Sequence, residues 1–308
     1  MSRHHPAPIH IDFLLPGFSK CGTTTLSAML GQHPALAMPS YKEPNFFTDP
    51  HYARRWPDYL ALYPAPSEGV LLGDDSTDYT TFQQELAARD RILAHYPEIK
   101  IIFIARDPLK RIESSYREFH HSGPLYGLNA EFDPNLAIRQ FPAMLEDSMY
   151  FRRLNTYLTR VPKQQVLVLF LEDLVSHPQR ELHRCFEFLG VDPAPAAAIG
   201  LCQMNDAESK LYDSRLLRYL RTHPYWGFKL AEFSPAQQDR VLPYLRLRRV
   251  FKQAPRWHPE TLAWIAESLA DDAQQFLAMQ GKALDIWPHF ARICRTDPLT
   301  RPAAYRTV

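Results

Sequence analysis

The sequence predicts an α/β fold with a mainly parallel central sheet and a helical C-terminal part. Three observations predict it: four short, almost wholly apolar runs, helix-like patterns between them, and a glycine-bearing loop that joins the first run to a helix. Ile11 to Pro16 reads as the first buried strand, and Thr24 to Gln32 as the helix that opens on the loop. Gly69 to Asp75, Lys100 to Pro108 and Gln164 to Leu174 are the other strand-like runs, suited to a sheet covered on both faces. Phe82 to Tyr96 repeats apolar residues at helical spacing. Leu109 to His121 follows Asp107, an N-cap candidate, with Pro108 at the first helical position. Glu181 to Leu189 ends at Gly190, a C-cap position. From Val191 onward the pattern is mainly helical, broken at "VDPAPAAA" and "KQAPRWHP".

The expected organisation is one domain over 1–308, with a core at 11–191 and a helical portion at 192–308. Lys plus Arg number 35 against 34 Asp plus Glu, which argues against broad electrostatic binding of nucleic acid. Cys21, Cys185, Cys202 and Cys294 are scattered, with neither disulfide-framework nor zinc-ligand spacing. The N-terminus lacks a signal-peptide pattern and no apolar run reaches membrane-spanning length, so the expected compartment is the cytoplasm. Oligomeric state is not legible.

The chemistry starts at "LLPGFSKCGTTTL", Leu14 to Leu26. Gly17 and Gly22 have the spacing of a phosphate loop, but Thr23 stands where a nucleotide triphosphatase loop has its lysine, and Lys20 lies inside the loop. A glycine turn running into a helix aims backbone N–H groups at an anion. Thr23, Thr24 and Thr25 add hydroxyls and Lys20 adds charge. A second constellation is "IIFIARDPLKRIESSY": Arg106 at a strand end and Ser114 eight residues later, two turns into the next helix, can converge on one phosphate. In open α/β sheets both positions lie at the ligand-binding edge.

"GFSKCGTTTL", "KEPNFF" (Lys42 to Phe47) and "RDPLKRIESSY", in that order, resemble the sulfotransferases that use 3'-phosphoadenosine-5'-phosphosulfate (PAPS), and more narrowly their carbohydrate and heparan-sulfate-type branch with its bacterial relatives. "VLVLFLEDLVSHPQRELHRCFEFLGV" is similar to the family's third block, and "FLAMQGKALDIW" to a C-terminal helix. The resemblance covers residues 11 to 191 and implies a P-loop NTPase-like three-layer fold.

It also implies roles. The loop from Ser19 through Lys20, Cys21, Gly22, Thr23 and Thr24 to Thr25 would hold the 5'-phosphosulfate, with Lys20 stabilising charge on the leaving phosphate oxygen. Arg106 and Ser114 would hold the 3'-phosphate. Glu43, beside Lys42, would be the base that prepares a hydroxyl or amine acceptor, and no metal is required. The acceptor implied is a carbohydrate or another small molecule.

Two departures bear on the base. The family has a lysine or proline-containing segment after the second strand, where this chain has "GDDSTDYT". Asp75 or Asp78 is therefore an alternative acceptor-facing group, unless Thr77 or Asp78 caps a helix near Phe82. His120, in "FHHSG", is a further candidate. Lys210, Arg215, Arg218 and Arg221 form a basic cluster that reads either as an anion site or as a solvated helix face. Two other functions remain open: a nucleotide kinase or NTPase with a modified loop, for which "LLGDD" is a weak metal-aspartate candidate, and a PAPS-binding protein without chemistry.

Overall fold

The computed structural model describes residues 9–64, 67–201, 210–251 and 253–296. The N-terminal stretch before Ile9, Cys202, Ser209 and Lys252 lie outside them.

Five parallel strands form the central sheet: β1 (Phe13–Gly17), β2 (Leu36–Ala37), β3 (Leu71–Asp74), β4 (Lys100–Ala105) and β5 (Val166–Phe170), in the order β2-β3-β1-β4-β5. The fold is α/β, as the apolar runs predict. All five residues of β1 and the last five of β4 are buried. Successive strand residues point to opposite faces, so both faces are covered and the sheet is the middle of three layers. β2 is two residues long, too short to give a periodic signal.

β1 is a central strand that contains Pro16, which cannot donate to a ladder. The strand accommodates it by losing register between Leu14 and Gly17, and the Pro16 carbonyl accepts from Thr80 Oγ1 at 2.8 Å. The irregularity ends β1 at the anion loop. Gly17 has φ +149°, and a Cβ there would lie 2.3 Å from Thr80 Oγ1, so no larger residue fits.

Asp107 caps the helix Pro108–His121 as expected, accepting from the N–H groups of Leu109 and Lys110 at 3.0 and 3.2 Å. Gly190 ends the helix Pro178–Leu189 with φ +84°. Between Phe82 and Tyr96 the helix is shorter than the periodicity predicts, Glu85–His95, because Thr77–Thr80 forms a 3-10 turn and the Phe82 N–H is taken by Asp147 Oδ1 at 2.6 Å. Asp78 and Thr77 cap no helix near Phe82. The helices Pro134–Gln140, Ala143–Glu146 and Tyr150–Leu158 are short and are not among the elements expected from the sequence, although Asp133–Pro134 opens the first as Asp107–Pro108 opens its own helix.

The C-terminal part both joins the core and reaches the ligand edge. Phe276, from the helix Pro259–Met279, and Trp287 stack at 6.0 Å and pack on Phe170 and Tyr150. The helix Pro288–Thr296 begins on Asp107, whose Oδ2 accepts from His289 and Phe290 N–H at 2.9 and 3.1 Å. The region is less helical than its pattern suggests. β6 (Leu211–Asp213) pairs antiparallel with β7 (Arg248–Val250).

Candidate active site

The helix Thr23–Leu30 starts directly after the loop. Gly22 is its N-cap in the left-handed conformation, with φ +94°, and no side chain caps the helix. A Cβ on Gly22 would meet Leu171 Cδ1 at 2.6 Å. The first turn thus offers backbone N–H groups to a bound anion. Lys20 is also left-handed, with φ +66°, a conformation costly for a residue with a side chain. Two arginines hold it there: Arg111 Nε donates to the Ser19 carbonyl at 3.1 Å, and Arg106 donates to the Lys20 carbonyl at 3.3 Å.

One cleft of about 880 Å³ gathers Ser19, Lys20, Gly22, Thr23, Thr24, Thr25, Glu43, Arg106 and Ser114 along its lining. Of the expected loop residues, Cys21 alone is turned away. Its thiol is buried 3.3 Å from the Tyr150 hydroxyl and its N–H is spent on the Phe18 carbonyl, so it offers no donor to the cleft. Burial pushes the thiol up to about 11.

The cleft also contains a carboxylate that the sequence reading passes over. Glu118 Oε2 accepts from both Lys20 Nζ, at 2.8 Å, and Lys210 Nζ, at 2.6 Å. Its other oxygen accepts from Ser122 at 2.5 Å. Burial opposes the charged form, but the two ammonium groups together outweigh it and hold the carboxyl well below the usual range. Arg111 is the second such residue. Fully buried, it donates to Asp147 Oδ2 at 3.0 Å and to the Met144 carbonyl at 2.9 Å, which fixes the loop from below. The signal for both was available: 111, 114, 115, 118 and 122 fall on one helical face, and all five residues line the cleft.

Glu43 lines the cleft in a left-handed conformation, φ +56°. Its carboxylate pairs with Lys42 and accepts from Thr77 Oγ1 at 3.3 Å. Its N–H is held by Asp75 Oδ1 at 3.2 Å, while Asp75 Oδ2 accepts from Ser27 at 2.6 Å. Asp75 is buried and ties two segments together; it does not line the cleft. Asp78 does line it, and its pKa is raised by burial and then by the Glu43 and Asp147 carboxylates.

Asp74, one of the two aspartates that end "LLGDD", is fully buried. One oxygen accepts from Tyr59 and Tyr79 at 2.7 and 2.8 Å, the other from the Ser76 N–H at 2.9 Å. His120 is also excluded from the role foreseen for it. It is buried, with Nε2 against the Glu131 carbonyl at 3.1 Å and Nδ1 against Arg218 at 2.7 Å, and burial followed by Arg218 lowers its pKa to about 4. The basic cluster separates. Leu211 lies in β6 and the helix begins only at Arg215, so 211, 215 and 218 share no helical face. Arg218 reaches the Ala130 carbonyl, Arg221 pairs with Asp213, and only Lys210 lines the cleft.

A parallel sheet whose first strand runs into an uncapped, glycine-entered helix, beside a cleft rich in lysine, arginine and hydroxyl donors, defines a P-loop-like fold with donors suited to an anion. The chain belongs to the sulfotransferase domain family, whose model matches residues 10–208. It is 26% identical over 245 residues to carbohydrate sulfotransferase 15 of Mus musculus, covering 59% of this chain and 44% of that one. It is 30% identical over 201 residues to the human (Homo sapiens) bifunctional heparan sulfate N-deacetylase/N-sulfotransferase 2, covering 59% of this chain and 22% of the relative. The chain therefore matches less than half the length of these curated relatives. Among solved structures, a sulfotransferase from Alicyclobacillus acidocaldarius superposes with a TM-score of 0.60 at 19% identity, over 91% of this chain and 99% of that one, which shows the shared fold. Among the described residues no helix is long and apolar enough to cross a membrane, and no cluster of His, Cys, Asp and Glu has the form of a metal site.

Proposed function

We propose that the protein transfers a sulfuryl group from PAPS to a hydroxyl or amine acceptor, releasing adenosine 3',5'-bisphosphate (PAP). The observation that carries this reading is that Lys20, the start of the Thr23–Leu30 helix, Arg106, Ser114 and Glu43 all line one cleft. Family membership supports sulfuryl transfer; the choice of donor rests on the fit of these residues.

The donor set suits a nucleotide with phosphate at both ends. Thr23, Thr24 and Thr25 and the N–H groups of the first helical turn would hold the 5' end. Arg106, with donors beyond the one given to the Lys20 carbonyl, and Ser114 would hold the 3'-phosphate. PAPS supplies an activated sulfuryl group. The sulfur–oxygen bond to the phosphate breaks as a new one forms to the acceptor oxygen or nitrogen. Lys20 neutralises charge on the departing phosphate oxygen. Glu43 takes the acceptor proton, which requires that its carboxylate exchange Lys42 for the acceptor. The proposed acceptor class is a carbohydrate, which the names of the curated relatives support, or a glycosylated or lipid-like small molecule.

Calorimetric titration with PAP and with AMP tests the donor site. PAP is expected to bind and AMP to bind far more weakly; equal affinities would overturn the assignment of Arg106 and Ser114. Labelled PAPS offered with a panel of glycans, glycolipids, phenols and small alcohols then identifies the acceptor.

A further inference from the structure

The segment from Leu211 to Val250 is folded inside out. Its buried residues are Asp213, Leu217, Gln238, Leu242 and Arg248, of which three are polar or charged. Arg248 Nε pairs with Asp213 at 3.0 Å, Arg221 pairs with the same carboxylate at 2.5 Å, and Gln238 donates to the Leu230 and Phe233 carbonyls at 3.0 and 2.9 Å. Polar bonds hold this unit together while its large apolar side chains face out. Of the 19 exposed large hydrophobic residues among those described, ten lie in this stretch of the chain.

The helix Pro224–Ala231 is the extreme case. Its sequence is PYWGFKLA, and none of its residues is buried. Trp226 is 50% exposed, Phe228 67%, and Tyr244, further along, 87%. A water-soluble surface rarely spends aromatic rings this way unless something covers them.

The charge identifies what covers them. Leu211 to Val250 carries eight Lys and Arg against three Asp and Glu, in a chain whose formal net charge is +1. Of the three acids, Asp213 is buried and paired, Asp239 is paired to Arg248, and Glu232 is paired to Lys229 at 3.0 Å. Arg215, Arg240, Arg246 and Arg249 are exposed among the rings. A second copy docking through the same patch would set cation against cation. Aromatic and aliphatic side chains interspersed with Lys and Arg are instead the composition of a surface that lies in the interface of an anionic bilayer, rings at the acyl boundary and cations on the headgroups.

We propose that the Leu211–Val250 unit docks the protein onto anionic lipid bilayers. The surface is independent of the donor site, though the two are neighbours: β6 follows directly on Lys210, which lines the cleft.

The test uses the full chain with extruded vesicles of phosphatidylcholine alone or mixed with phosphatidylglycerol, read by co-sedimentation. Binding to the mixed vesicles is expected, with far less to phosphatidylcholine and a marked weakening by salt. The double variant Trp226→Ser/Phe228→Ser and the charge variant Arg240→Gln/Arg249→Gln are each expected to lower partitioning at least about tenfold. All four side chains are exposed, so PAP affinity should not move, which separates docking from misfolding and from the donor assignment. Equal binding to both vesicle types, or none to either, overturns the proposal. So does a dimer in sedimentation velocity that the aromatic variant dissociates, since the patch would then be covered by a second copy.

Discussion

Lys20 Nζ and Glu118 Oε2 lie 2.8 Å apart, and the same oxygen holds Lys210 at 2.6 Å. A carboxylate in a cleft proposed to take a multiply charged anion is costly unless it organises the cations. Lysine has three N–H donors, so Lys20 can keep Glu118 and still reach a phosphate. Glu118 therefore fixes the position of the ammonium group and keeps two like charges together. Replacing it with glutamine adds net positive charge to the cleft while loosening Lys20. Glu118→Gln is expected to leave PAP affinity unchanged or tighter and to lower turnover about tenfold or more. A parallel loss of both would mean that Glu118 serves only to fold the cleft.

Lys20→Ala removes the charge at the leaving oxygen. Turnover of PAPS should fall about a thousandfold, with far-ultraviolet circular dichroism unchanged. Wild-type turnover in this variant would end the role assigned to Lys20.

Arg106→Ala bears on recognition of the 3'-phosphate. PAP affinity is expected to fall roughly tenfold to a hundredfold and AMP affinity to fall by less, because AMP loses only the support Arg106 gives the Lys20 carbonyl, whereas PAP also loses charge-assisted hydrogen bonds to its 3'-phosphate. Calorimetry on the two nucleotides reads the difference directly.

Glu43→Gln keeps the shape of the side chain and removes its basicity. Once an acceptor is in hand, kcat should drop by about a hundredfold to ten-thousandfold with PAP affinity retained. If Asp78→Asn produces that loss and Glu43→Gln does not, the base is Asp78, the other carboxylate lining the cleft.

His120 makes stability depend on pH. Its folded pKa is near 4 against 6.5 for the free side chain, so between these values the unfolded chain binds more protons. The contribution is complete above pH 6.5 and is lost as pH falls toward about 4, an effect on the order of 3 kcal/mol. Urea midpoints measured across that range should fall in the wild type and fall less in His120→Gln.

The candidate site was largely legible because its parts are local. Loop glycines, Lys20, the threonine run, the Asp107–Pro108 cap and the Arg106–Ser114 spacing each follow from a few consecutive residues whose conformations are dictated by nearby chain. Arg111 and Glu118 were legible in principle, as a polar stripe on the Pro108–His121 helix, but only the structure shows what that stripe faces. His120 sits on the opposite side of the same helix and is buried; a shift of two residues separates a cleft-lining carboxylate from a core imidazole.

Sequence alone thus determined the strand–loop–helix corner and the order of the parallel strands' apolar runs, because apolar periodicity, caps and turn glycines act within a few residues. Tertiary structure decided which charges meet. It joined Lys20, Glu118 and Lys210, residues 98 and 92 positions apart in their two pairings, closed Asp74 with two tyrosines, and turned the Leu211–Val250 unit's rings outward. Such pairings depend on which surfaces the packed sheet and its helices bring together, and no spacing along the chain encodes that.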